Sequence, residues 1–156
     1  MSRSTGQVPE GYSRLYAALA VLTIAVTFQP LFARTVAVGS VEVADPRRSM
    51  WEELGTSAHE STVAGVLLVL VLVALLTAGA FGARSIGIPI GIAVASALLS
   101  VLVSLRPGYA SPPPDLTSWG QVAIVMGIVT AVLSVAHAVH CGLRRGSSST
   151  PPDASP

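Results

Sequence analysis

Residues 61–105 read STVAGVLLVLVLVALLTAGAFGARSIGIPIGIAVASALLSVLVSL, and Arg84 is the one charged side chain in the stretch. It divides two apolar runs, 61–83 and 85–105. About 20 apolar residues at about 1.5 Å rise each cross a ~30 Å hydrocarbon core, so each run is long enough to span a bilayer. Gly82-Ala83-Arg84-Ser85 is the only polar break between them, which predicts an antiparallel helical hairpin with a tight turn. Two further intervals, 15–33 and 116–143, also lack Arg, Asp and Glu. The expected fold is therefore all-α: a four-span transmembrane helical bundle with spans at about 15–32, 63–81, 86–105 and 120–140.

Composition supports this without reference to any window. Apolar residues make up 51% of the chain, charged residues 11%, and the mean hydropathy is +0.68, whereas soluble proteins carry about 25% charged residues. Four spans leave little of the 156 residues for a separate domain. The expected organisation is a cytoplasmic tail at 1–14, a membrane domain at 15–142 with one larger extracytoplasmic loop at 34–60, and a disordered cytoplasmic tail at 143–156. All nine basic residues are Arg, which points to a GC-rich, bacterial genome. A net charge of +1 with no basic stripe gives no footprint for nucleic acid.

Orientation follows from the residues flanking the spans. Arg14, Arg84, Arg144 and Arg145 fall on one side and Arg34 and Arg106 on the other, so the positive-inside rule places both termini in the cytoplasm. The competing reading of the first run is a cleaved signal peptide, with Arg3 and Arg14 ahead of it and Ala33 and Ala37 as small residues near a cleavage site. Tyr12 and Tyr16 are expected as interfacial anchors, as is Trp119 before the fourth span.

Within the 34–60 loop, residues 35–43 hold two β-prone runs around Gly39-Ser40 and predict a small hairpin. After Asp45-Pro46, Ser49-Met50-Trp51-Glu52 has the spacing of a capping box that starts a short helix with Met50, Trp51 and Leu54 on its apolar face. That face is either a headgroup-level anchor or a partner-binding patch, for which Trp51, Met50 and Leu54 are the candidate residues. The connector at 106–118, with Pro107-Gly108 and Pro112-Pro113-Pro114, is expected to be stiff and extended.

Small residues recur at four-residue spacing as Gly87, Gly91 and Ala95 in the third span and as Ala123, Gly127 and Ala131 in the fourth. Such rows let helices approach closely, and the third and fourth spans are expected to pack through them, or to carry a homodimer contact. The hydroxyls of Thr23, Thr27, Ser96, Ser100, Thr130 and Ser134 form further rows.

His137, His140 and Cys141 are the one cluster of reactive side chains, at the inner end of the fourth span. They are the only candidates for a metal or haem, and three or four ligands with second-shell support are the usual requirement. No Asp, Glu, Lys or Arg lies at membrane depth to serve a pump or proton-coupled transporter. The small multidrug exporters are of similar size, but that family depends on a first-span glutamate, and this chain has none. Cys141 stands alone, so thiol–disulfide chemistry lacks its pair. Ser134 and His137 on one turn are a poor imitation of an intramembrane Ser–His protease. The expectation is a protein that is not an enzyme, with no catalytic residues and no cofactor.

Gln29-Pro30-Leu31-Phe32 closing the first span, the loop ending Ser49-Met50-Trp51-Glu52-Glu53-Leu54-Gly55, the Leu/Val-rich second span and the short Arg84 turn together resemble small uncharacterised four-span membrane proteins of actinobacteria. The resemblance covers the layout of the whole chain. It implies a bacterial plasma-membrane protein and carries over no site residues. Two functions fit: an accessory or scaffold protein binding another membrane protein, or a passive pore or small-molecule carrier lined by the hydroxyl rows. Beyond the bilayer, the partners to expect are another membrane protein or a second copy.

Overall fold

The computed structural model describes residues 7–38, 41–46, 49–52, 60–81, 85–105 and 114–147. Four helices dominate it: α1 (Gln7–Thr27), α2 (Glu60–Ala80), α3 (Gly87–Leu105) and α4 (Ser118–Ser147). Three carry stretches long and apolar enough to cross a membrane, at Thr62–Ala80, Gly87–Leu105 and Ser118–Leu143, and the apolar part of α1 is the shorter Gly11–Thr27. Between α1 and α2 run β1 (Phe32–Val38) and β2 (Val41–Pro46), and a two-residue strand β3 (Asp115–Leu116) precedes α4.

The helix ends differ from the sequence expectation where local chemistry overrides apolar length. α1 begins at Gln7, inside what reads as a tail, and stops at Thr27 rather than running to 32. Pro30 disfavours a helical Gln29. The last turn tightens accordingly, with Phe28 N–H donating to Ala25 O and Gln29 N–H to Val26 O. Phe32, expected at the end of a span, instead opens β1. α4 continues through Gly142 to Ser147, so residues 143–147 are helical rather than part of a tail; Arg144 and Arg145 stand in its final turn, where positive charge suits the helix dipole. At the start of α3, Ser85 accepts from Gly87 N–H through Oγ and from Ile88 N–H through its carbonyl, and Pro89 falls in the first turn, where its missing donor is harmless. The turn residues 82–84 and the tails 1–6 and 148–156 lie outside the described residues.

The expected hairpin is present: β1 and β2 pair antiparallel with Val38 opposite Val41 and Ala33 opposite Pro46. Most of the connector before α4, residues 106–113, lies outside the described residues, and its described end is extended as expected. That end pairs with β1, Phe32 opposite Leu116 and Ala33 opposite Asp115, giving a three-stranded sheet in the order β2-β1-β3. Thr117 fixes this junction. Its N–H donates to Leu31 O, its hydroxyl donates to Pro30 O at 2.7 Å, and the same hydroxyl oxygen accepts from Gly120 N–H as the cap of α4. The chain emerging from α1 is thus stitched to the chain entering α4.

Consecutive helices pack as neighbours, α3 with α4 most extensively, and α1 meets α4 over a short stretch. The core at the end away from the sheet gathers Tyr16, Leu19, Ala20, Leu72, Leu76, Ile92 and Ala95. The bundle differs from a water-soluble one in its apolar exterior and in the hydroxyls that share its interior. Thr23, Thr27, Ser96, Ser100, Thr130 and Ser134 are buried, while Val21, Leu67, Val125, Ile128 and Val132 are each more than half exposed along the outside. A surface of that kind is compatible with lipid and not with water.

Close approach depends on three glycines, Gly79, Gly120 and Gly127; a Cβ on Gly120 would run into Leu31 O where the chain leaving α1 crosses the start of α4. A Cβ on Gly79 would lie 2.7 Å from Tyr16 Cδ2, and one on Gly127 would collide with Ser100 Oγ and come within 3.2 Å of Ser96 O. Gly65 is different, because a Cβ there meets Leu102 and Met50 at ordinary contact distances of 3.4 and 3.5 Å. Gly79→Ala is expected to destabilise the bundle by about 1–3 kcal/mol through overpacking, whereas Gly65→Ala is expected to be neutral or slightly stabilising. Thermal unfolding of both variants in one mild detergent checks the contrast.

Candidate functional site

Two places bring together the side chains that the sequence singles out. The first is the end of the bundle away from the sheet. Because α1 starts at Gln7, Tyr12 and Tyr16 lie one helical turn apart on its inner face. Tyr16 is 0% exposed and its OH is 2.7 Å from His137 Nδ1. Tyr12 stacks on the imidazole with centroids 4.1 Å apart and planes 7° apart, and the Tyr16 ring is tilted against it at 5.5 Å. Neither tyrosine acts as the simple interfacial anchor expected, since both rings close on a histidine of the last helix. Gly79 supplies the flat bed for the Tyr16 ring, and Ser13 Oγ donates to Ala80 O beside it.

This arrangement bears on the metal candidates. One imidazole nitrogen of His137 is taken by the Tyr16 phenol and one face by Tyr12. Cys141 is a half-buried free thiol, and His140 Nε2 is buried without a hydrogen-bond partner. Among the described residues, no three His, Cys, Asp or Glu side chains converge as a ligand set. Ser134 Oγ is buried beside the Tyr16 phenol, and no hydrogen bond pairs it with His137 as a nucleophile with its base. Tyr12, Tyr16 and His137 tie α1 to α4.

The second place is the mouth of the bundle beneath the sheet. Ser49-Met50-Trp51-Glu52 forms the expected capping box: Glu52 Oε2 accepts from Ser49 N–H at 2.8 Å, and Glu52 N–H points back to Ser49 Oγ at 3.4 Å. The turn it starts faces inward. Trp51 Nε1–H donates to Thr27 Oγ1 at 2.8 Å, and its ring stacks on Phe28 at 6.0 Å. Met50 reaches over Gly65 and lines a cavity of about 40 Å³ where all four helices meet. Thr23, Thr27 and Thr130 line the same space with Met126 and apolar side chains. Two of the three partner-binding candidates, Met50 and Trp51, thus make contacts within the chain, and Leu54 lies outside the described residues.

The small-residue rows also distribute differently from the face-to-face expectation. Gly91 faces Leu75 of α2, Ala95 belongs to the core, and Gly87 meets Ser85 alone among the described residues. Gly127 meets α3 at its serine row, Ser96 and Ser100. Ala123 lines the central cavity, and Ala131 lines an open groove between α3 and α4.

No match exists to a family model, a curated protein or a solved structure. What the chain can do is therefore argued from its own geometry. Sequence reasoning missed Tyr16, Gly79 and Thr117 as organising residues. The four-residue spacing of Tyr12 and Tyr16 and the Gly79-Ala80 pair were the available signals for the first two. Thr117, one residue before Ser118-Trp119, had the signature of a helix cap.

Tyr16→Phe and His137→Phe are each expected to destabilise the protein, since either change strands a buried polar partner. The double-mutant cycle is expected to return a coupling of about 0.6–1.7 kcal/mol, the range of interhelical hydrogen bonds in membranes. Equilibrium unfolding of the four forms in mixed micelles reads it.

Proposed function

We propose that this chain is a four-span protein of the bacterial plasma membrane, with both termini cytoplasmic, serving as a non-enzymatic accessory or scaffold for another membrane protein. The fourth span in this reading is α1. Its apolar part, Gly11–Thr27, reaches about 25 Å at the α-helical rise, and the exposed Arg14 in the first turn of that part can extend to the headgroups. The burial of Tyr16, Leu19, Ala20 and Val26 argues that α1 belongs to the bundle rather than to a removable leader.

The observation that carries the scaffold reading is the small size of the centre. The space that the described residues of the four helices share is about 40 Å³, room for only a few waters. The hydroxyls around it are turned back on their own helices: Thr23 donates to Leu19 O, Thr27 to Ile24 O and Thr130 to Met126 O. What the protein offers to others lies at the sheet end, where Phe28 is 60% exposed and half-buried Trp51 stacks on it. Such an aromatic pair is a typical anchor for a partner. The runner-up, a passive pore or carrier, is favoured by one fact, the convergence of hydroxyl rows from α1, α3 and α4 on the interior.

Mild-detergent extraction from the native membrane, with mass spectrometry of co-purified proteins, tests the scaffold. A stoichiometric membrane partner is expected with the wild type and with Trp51→Phe, which keeps the ring, and is expected to be lost with Trp51→Ala. Recovery of the chain alone, or equal recovery with Trp51→Ala, contradicts it. The pore reading is tested with Thr130→Cys in a Cys141→Ser background. The new thiol is expected to resist water-soluble thiol reagents from both sides, and rapid labelling would move the weight to the pore.

A further inference from the structure

The cavity beneath Met50 has a composition that the scaffold reading does not use. Of the three methionines in the chain, both Met50 and Met126 line it. Methionine is the most adaptable apolar side chain, and a pair of them makes a wall that can reshape around a guest. The three threonines that line the space have each given their proton to a backbone carbonyl, so what they retain toward it is acceptor capacity. Thr27 already shows what such an acceptor takes: an N–H carried by an apolar ring, the Trp51 indole.

We propose that this cavity is a binding site for a small apolar molecule bearing one N–H or O–H donor, reached from the sheet end by displacement of the Ser49–Glu52 turn. In the closed state the space is about 40 Å³, well below the roughly 150 Å³ of an enclosed cavity that admits benzene. Met50 lines the space from the Ser49–Glu52 turn rather than from one of the four helices, so displacing that turn enlarges it from the sheet side. The Trp51–Thr27 hydrogen bond latches the turn, and the Ser49–Glu52 capping box makes it move as one unit. The donor requirement follows from the threonines, because a guest with only acceptors would meet acceptors.

Phenol and anisole are the probes: the same ring with and without a donor. The protein is placed in lipid nanodiscs in a Trp119→Phe background, which leaves Trp51 as the sole tryptophan, and its emission is followed during titration. The expected result is a saturable change with phenol and an apparent affinity for anisole weaker by about fivefold or more, the worth of one hydrogen bond. Ala123→Leu, which fills the cavity from α4, is expected to abolish the saturable change. Partition into lipid predicts the opposite order, since anisole is the more apolar. A change that rises without saturation, an anisole response equal to or stronger than that of phenol, or a saturable response unaltered by Ala123→Leu overturns the proposal. The comparison of the two probes on the chain with its cavity intact stands even if Ala123→Leu does not fold.

Discussion

In hydrocarbon a helix gains nothing by turning a leucine from lipid toward a neighbouring helix, so close contact and polar atoms must do what the hydrophobic effect does in water. That constraint organises this protein. Many of its large aliphatic side chains face outward, and its interior combines Leu19, Leu72, Leu76 and Ile92 with glycines, hydroxyls and a tyrosine–histidine pair. Tight places arise where a missing side chain admits a polar, aromatic or backbone group: Gly127 against the serine row of α3, Gly120 against the Leu31 carbonyl, and Gly79 under Tyr16. Removing a methyl group from these interfaces is what lets the helices hold together; adding one pushes them apart.

The chain is closed into a ring of helices by polar ties at its two ends. Away from the sheet, Tyr16 and His137 join residues 121 positions apart in sequence. At the sheet, Thr117 joins the exit of α1 to the entry of α4, and β1–β3 pairing continues the tie beyond the helices. A two-stranded hairpin alone is marginal in water, and its third strand, though only two residues long, anchors it to the bundle. Between the two ties lies the methionine-lined cavity, beside the turn that Trp51 holds to Thr27.

Much of this was legible in the sequence. The boundaries of α2 and α3 fall within three residues of the charge-free runs, because Arg84 and its small neighbours leave no other place for the turn. The hairpin and the Ser49–Glu52 box were readable from turn and cap chemistry. The rest was hidden for identifiable reasons. Apolar character continues through Leu31-Phe32, so the end of α1 is set by Pro30 and not by hydropathy. Asp115-Leu116 has no strand signature and is a strand only because β1 is beside it. Tyr16 and Trp51 look like interfacial aromatics in one dimension; burial of the first and the inward hydrogen bond of the second follow from the packing of helices distant in sequence. A periodic row of glycines says that some helix approaches, not which one, and so Gly91 faces α2 while Ser96 and Ser100 receive α4.

The central claim is that the first helix belongs to the bundle and closes it against the last. Crosslinking in native membranes tests it most directly, with Tyr12→Cys and His137→Cys introduced together into a Cys141→Ser chain and treated with a short bis-thiol linker. The rings at these positions stack 4.1 Å apart, so an intramolecular crosslink is the predicted product, and a protease cut between α2 and α3 should leave the two halves joined. Failure to crosslink, or crosslinks found only between copies, would contradict the account.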